Sequence, residues 1–428
     1  MRMNWFREVC KTKLLHAIRH CYRLSSRGKR VLTKSQRFDE LELLRGLAAL
    51  GVVVYHFLRA FVAPERTSDF AQAVGLAIER PFVLSPINGP FMVSIFFVLY
   101  SFALTVKLLG APAPVPVGIA VAKRFPRLFP VTFIGVMLPA ALYVAGLMFN
   151  EPVAALSGSE WLRDSGGVKV DGPWPAPSLS GGVADSVRLF GRGLSQYNSA
   201  LWTMRYELLG SIAALGTALL IAGRRRPLLD TVIVTVVGLL ALEVHALCAL
   251  CVTTVLITKY LRDSSWSLSP VAASAMIAVG LLIGSTYKPF PEELALDPVL
   301  GEHILRLDWV IHGAGATMVF LGVHRWRRRQ MADWPFARML GRLSFAVYAI
   351  HIPVIASLGA GIVLALGYGL GSVLLAALAS AVVIGIVAHG IAYFDQWWVM
   401  TINRTARVLA SIRKRDADTA VPSASDAP

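Results

Sequence analysis

The stretch LELLRGLAALGVVVYHFLRAFV, residues 41–62, decides the fold. It has the ~20 residues needed to cross a bilayer, and it lacks the period-two alternation of a membrane strand. Yet it carries Arg45 and His56. An ionisable group at the bilayer centre costs ~2.5–3.5 kcal/mol even on the lenient insertion scale, so each one needs a reason. At about 100° per residue, the steps from Arg45 to His56 turn about 1100°, within about 20° of three full turns. Both side chains therefore leave one face of the helix, roughly 16 Å apart along its axis. Either Arg45 snorkels to headgroups beside Glu42, with His56 at the opposite interface, or the two line a buried polar site.

The rest of the chain has the same character. Of 428 residues 55% are hydrophobic and only 16% charged, and the mean hydropathy is +0.59. This excludes an ordinary soluble protein, a disordered chain, collagen and a disulfide scaffold. Further apolar stretches lie near 90–110, 129–149, 200–222, 270–287, 306–324, 344–366 and 370–393. The block 228–260 is too long for one span and is interrupted by Glu243 and His245, so it reads as two short helices turning there. The expectation is an all-α, polytopic integral membrane bundle of about ten transmembrane helices, spanning 38–400. A basic cytoplasmic segment, 1–37, precedes it and a cytoplasmic tail, 401–428, follows, disordered after Lys414 by its Ala, Ser, Asp and Pro content.

Charge sets the orientation. The formal net charge is +16, which in a soluble protein would point to nucleic acid. Here the basic residues alternate from side to side. With the N-terminus inside, 31 Lys and Arg fall on the cytoplasmic side and 8 on the other, placing both termini in the cytoplasm. No nucleic-acid partner is expected. The first 37 residues hold 11 of these cations and lack the apolar core of a signal peptide. They either lie against anionic headgroups or form a solvated tail that enforces topology. Cys248 and Cys251 read as packing residues, and the histidines have no metal-ligand spacing, so no metal is expected.

More ionisable groups fall where lipid should be. Arg205 and Glu207 lie just inside the outer end of the fourth span, at about the depth of His56, and His312 and His351 fall in apolar sequence. Together they point to a polar site among the helices. The loop AKRFPRLFP offers Lys123, Arg124 and Arg127 to phosphates, or it only enforces topology. The long outer segment, about 150–199, is placed to cover a site from outside.

These residues resemble the membrane-bound acyltransferase 3 family. Arg45-X10-His56 matches its opening helix. GPFMVSIFFVLYSFALT is similar to its FFVLSGF helix, KRFPRLFP to its Arg-rich loop, SALWTMRYELL to its LWS-x-x-x-E segment and GRLSFAVYAIHIP to its Gly-x-x-Ser-Tyr…His-x-Pro element. The match runs from about Phe38 to Trp398. The chain departs from the pattern at Tyr100-Ser101, where Ser-Gly is usual, at Arg205, where a small residue is usual, and at Leu208 after Glu207. No esterase-like domain follows the last helix, so transfer would be completed in the membrane domain or handed to a separate protein.

The resemblance implies transfer of an acyl group, commonly acetyl, from cytoplasmic acyl-coenzyme A to a hydroxyl of a carbohydrate or related acceptor, in a bacterial inner membrane. Lys123, Arg124 and Arg127 would hold the donor, and Arg45, just inside that basic mouth, would be catalytic together with His56 and Glu207. His56 would act as general base, and Glu207 would orient His56 or bind the acceptor. Tyr348 and His351 would shape the donor channel, with Trp202 also in contact with substrate. A multi-span transporter and a non-catalytic membrane component are the alternatives.

Overall fold

With no water to bond its backbone, a long apolar stretch in lipid satisfies itself as a helix. The computed structural model describes residues 38–62, 87–110, 114–164, 166–170, 174–285, 301–326 and 334–419, with backbone alone at 114–116, 263, 301–305 and 409–419. Among the described residues there is no strand, only an isolated bridge between Leu268 and Trp326. The basic segment 1–37, Cys10, Cys21, Arg66, Arg80, Lys288 and the last residues of the tail fall outside the described residues.

In chain order the helices are α1 (Asp39–Phe61), α2 (Gly89–Thr105), α3 (Pro114–Ala122), α4 (Arg124–Val144), α5 (Asn150–Ser157), α6 (Glu160–Asp164) and α7 (Leu179–Arg192). A 3-10 turn, Ser199–Trp202, leads into α8 (Thr203–Ile221). Then come α9 (Pro227–Val244), α10 (Ala246–Asp263), α11 (Pro270–Gly284) and α12 (Gly301–Arg325). Next are α13 (Pro335–Val354), a π turn (Ile355–Gly359), α14 (Ala360–Leu366) and α15 (Leu370–Thr419). Helix starts follow capping chemistry: the side chains of Asn88, Ser178, Ser269 and His245 each accept a first-turn N–H. The expected turn near Glu243 and His245 is present, with His245 as the extended hinge between α9 and α10.

Among the described residues, seven helices are long and apolar enough to cross a membrane. They do not include α10, α11 or α12. Helix direction supplies the missing count. Arg45 bonds the Gly341 carbonyl while His56 bonds His351, so numbering rises together along α1 and α13 and the two run parallel. An odd number of crossings must separate parallel spans, yet only four of the seven lie between them. An odd number of further crossings is therefore required, which α10, α11 and α12 together would supply, for the expected total of about ten. Close approach of α1 and α13 rests on glycine: a Cβ on Gly46 would strike Leu340, and one on Gly341 would strike Glu42.

Three prolines, Pro130, Pro139 and Pro353, sit inside helices. Each lacks an N–H and so orphans the carbonyl four residues earlier. Each orphan has a side-chain donor. Asn198 Nδ2 donates to Gly135 O at 2.9 Å and to Ala349 O at 2.8 Å, the carbonyls freed by Pro139 and Pro353. Trp398 Nε1 donates to Pro126 O at 2.7 Å, the carbonyl freed by Pro130. One buried amide thus ties α4 to α13, and one indole ties α4 to α15.

The outer segment docks on the bundle. Ser159 Oγ donates to Arg59 O in the last turn of α1 at 2.6 Å, and Phe149 N donates to Ala356 O in the π turn at 3.0 Å. Val153 and Leu162 are buried beside Phe61 and Ile355. At the other end of α8, Lys259 bonds Asp230 and the Ile221 and Arg224 carbonyls, closing α8, α9 and α10 together.

Two expectations need correction. The stretch AKRFPRLFP is helical rather than a loop: α3 runs into α4 through Lys123, which keeps helical dihedrals, and Pro126 falls in the first turn of α4, where no N–H is needed. The tail is likewise helical as far as Thr419.

Replacing Asn198 by Leu should lower the thermal midpoint of the detergent-solubilised protein markedly, because it orphans two buried carbonyls at ~1–3 kcal/mol each. Circular dichroism melting is the check, and an unchanged midpoint would remove the amide from its bridging role.

Candidate functional site

Asn198 also fixes the height of what lies beside Ala349. Tyr348 donates its hydroxyl to Ala200 O at 2.6 Å and lies 2.9 Å from Thr203 Oγ1, while its carbonyl receives His351 Nδ1 at 2.8 Å. A carbonyl only accepts, so His351 Nδ1 carries the proton and, in the neutral ring, His351 Nε2 is an acceptor. His56 Nδ1 lies 2.8 Å from that nitrogen. His56 Nδ1 must therefore be the donor, which leaves the lone pair of His56 on Nε2. A backbone carbonyl thus sets the tautomer of His56 through a second imidazole.

Trp161, from the outer segment, stacks on His56 at 5.1 Å between ring centroids. The segment between α4 and α8 therefore reaches His56.

Toward the N-terminal end of α1 the cations are arranged unequally. Arg45 bonds Glu42 at 2.6 Å and the Gly341 carbonyl at 2.5 Å. Its partner Glu42 is the one snorkelling supplies, but the bond to Gly341 turns the guanidinium toward α13. Arg127 makes a bidentate pair with Asp395 of α15, at 2.5 and 3.0 Å. Arg124 donates to the Tyr100 hydroxyl at 3.1 Å, and Lys123 reaches Asn403 at the exposed edge.

Glu207 lies between the two ends. It is one turn inward from Thr203, beside Tyr100 and Tyr348, and its strongest charged neighbours are Arg127, Arg124 and Arg45. Among the described residues no group donates a hydrogen bond to it. It is thus deeper than His56 rather than level with it, because α8 carries it inward from the 3-10 turn. The group that holds His56 is His351. Trp202 and Arg205 sit at the outer end, Arg205 donating to Arg192 O at 3.2 Å, and His312 bonds Asn88 Nδ2 at 3.1 Å.

The structure therefore brings His56, His351 and Tyr348 together at one end, and Arg45, Arg124 and Arg127 at the other, with Glu207 facing the second group. Reading the sequence missed Trp161, Asn198 and Asp395. Interior prolines are the signal for Asn198, since each calls for an external donor. Asp395 lies two residues beyond the expected end of the last apolar stretch.

A scan of protein families matches residues 38–390 to an acyltransferase domain. No curated protein and no solved structure matches the chain.

The Arg127–Asp395 pair, with side chains 30% and 16% exposed, predicts a coupled double-mutant cycle. Arg127→Ala alone leaves a half-buried carboxylate uncompensated. It should lower the melting midpoint more than Arg127→Ala combined with Asp395→Ala. Additive losses would show the two side chains to be energetically independent.

Proposed function

The chain belongs to the acyltransferase family that its residues 38–390 match, and from that premise we propose that it moves an acyl group, acetyl in the simplest case, from cytoplasmic acyl-coenzyme A to a hydroxyl of a carbohydrate or related acceptor. It would do so in a bacterial inner membrane, with both termini in the cytoplasm. The observation that carries this reading is the tautomer of His56, set by His351 and the Tyr348 carbonyl.

His56 Nε2 takes the proton of the acceptor hydroxyl, and the oxygen attacks the thioester carbonyl. The new C–O bond forms, the C–S bond breaks, and His56 returns its proton to the departing coenzyme A thiolate. As His56 becomes positive, its Nδ1–H bond to His351 becomes charge-assisted and strengthens. His351 is thus a positioning residue. It does not touch the reacting atoms, and it acts as the neutral Nδ1–H tautomer.

The donor enters from the basic end. Arg124 and Lys123 offer the least committed cations for its phosphates, while Arg127 is already paired. Glu207, facing these arginines without a hydrogen bond of its own, keeps the approach from being uniformly cationic and offers an acceptor to the polar arm of the donor.

Three outcomes test this. His56→Ala should insert normally and lose roughly 10²–10⁴ in kcat, the range of general-base catalysis, in a radiolabelled acetyl-coenzyme A assay. Full retained transfer would remove the assignment. His351→Phe should reduce kcat with little change in KM and move the acid limb of the pH–rate profile, because His56 loses the partner that stabilises its charged form. An unmoved limb would make His351 a packing residue only. Reversing Arg124 to Glu should weaken donor binding most at low salt, and an unchanged donor affinity would place the phosphates elsewhere.

A further inference from the structure

Four rings from three separate segments meet at the outer end of the bundle. Trp202 ends the 3-10 turn before α8, Tyr206 lies one turn into α8, His245 is the hinge between α9 and α10, and Trp309 lies in α12. The Tyr206 and His245 centroids are 4.2 Å apart, those of Trp202 and Trp309 5.4 Å, and those of His245 and Trp309 5.3 Å. All four are half-buried rather than sealed in the core.

Aromatic residues at a membrane interface commonly form a belt, each ring facing headgroups separately. These instead pack edge to face around one imidazole. That imidazole has a fixed tautomer. His245 Nδ1 accepts the Leu247 N–H at 3.1 Å, so the proton of the neutral ring sits on Nε2. Among the described residues nothing accepts from His245 Nε2. The cluster therefore presents aromatic rings together with an N–H donor that no described residue accepts from.

Two chains of contact connect the cluster to His56. On one side Trp202 precedes Thr203, which bonds Tyr348, whose carbonyl holds His351. On the other, Trp309 meets His312 at 6.3 Å, and His312 bonds Asn88. Gly89, next to Asn88, packs on Tyr55 so closely that a Cβ would lie 2.7 Å from the ring, and Tyr55 adjoins His56.

We propose that Trp202, Tyr206, His245 and Trp309 form the platform on which a sugar ring of the acceptor is laid, with His245 Nε2–H donating to one of its hydroxyls. This deepens, and rests on, the acyl-transfer reading above. The C–H faces of a pyranose carry partial positive charge and stack on the negative faces of aromatic rings, while its rim of hydroxyls accepts hydrogen bonds. A quaternary ammonium is the other ligand an aromatic cage favours. The flanking charges do not favour it: the Arg205 guanidinium lies over Tyr206 at 5.8 Å, and the two acids beside the cluster already have partners, Glu243 bonding Arg306 at 2.8 Å and Asp308 lying 3.5 Å from His312.

The test is a specificity ratio, which does not depend on how much of a variant folds. The full-length protein in nanodiscs is given radiolabelled acetyl-coenzyme A and three acceptors: p-nitrophenyl glycosides of glucose, galactose and N-acetylglucosamine as one set, glycerol, and choline. Each supplies a hydroxyl, but only the first set supplies a sugar ring. The wild type should favour a glycoside over glycerol. In Trp309→Ala and in His245→Ala that preference should fall at least tenfold, and Trp309→Phe should keep it. A wild-type preference for choline, no preference over glycerol, or a preference unchanged in both alanine variants would each overturn the platform. Absence of any acetyl-coenzyme A turnover in the wild type would instead overturn the acyl-transfer reading, and the platform with it.

Discussion

A carbonyl in hydrocarbon must find a donor within the protein, and the prolines of this chain make that demand acute. Pro139 and Pro353 free carbonyls on two different helices, and the single amide of Asn198 answers both. Because Ala349 lies between Tyr348 and His351, the same bonds set the height at which those side chains emerge. The prolines that weaken α4 and α13 as isolated helices thus lock them to each other. The π turn after Pro353 continues this logic, since Ser357 Oγ returns a bond to Pro353 O at 2.6 Å and the outer segment bonds Ala356 O. The histidine pair owes its position to backbone repair.

The electrostatics divide along the same axis. At one end Arg45, Arg124 and Arg127 gather around acids and carbonyls of α1, α13 and α15. At the other, two imidazoles form one hydrogen-bonded chain that ends on a carbonyl, with Arg59 one turn along α1 from His56. A permanent cation bonded to His56 would disfavour the imidazolium on which proton transfer depends. Along α1, Arg45 and His56 stand roughly 16 Å apart, so one helix carries a guanidinium toward one end and an imidazole toward the other.

Much of this was legible in residues 41–62. Helical periodicity alone puts Arg45 and His56 on one face, and the structure turns that face to α13 at both positions. Apolar length and the break at Glu243 and His245 gave the helices and the hairpin. What periodicity does not carry is contact across the chain. His56 and His351 are 295 residues apart, and nothing in either local pattern names the other. The same holds for Asn198, whose polar neighbours Gln196 and Tyr197 read as a loop while its partners are carbonyls that carry no sequence signature. The depth of Glu207 was misjudged because the 3-10 turn before α8 starts the helix at the outer boundary, so four further residues carry the carboxylate inward. The charged stretch after α3 read as a loop because its cations suggested water, whereas Lys and Arg are good helix formers and Pro126 falls where a helix tolerates it.

Two imidazoles in this chain have their tautomers set by backbone groups of opposite kind. The Tyr348 carbonyl places the proton of His351 on Nδ1, and through it the lone pair of His56 on Nε2. The Leu247 amide draws the Nδ1 lone pair of His245 and leaves its proton on Nε2. One backbone acceptor therefore creates a base, and one backbone donor creates a hydrogen-bond donor, both at the outer end of the same bundle. A hydroxylated acceptor needs both functions: an N–H to hold one of its oxygens and a lone pair to take the proton from another. Helix ends and helix interruptions, where backbone groups are left over, are the places in a membrane bundle that can supply them.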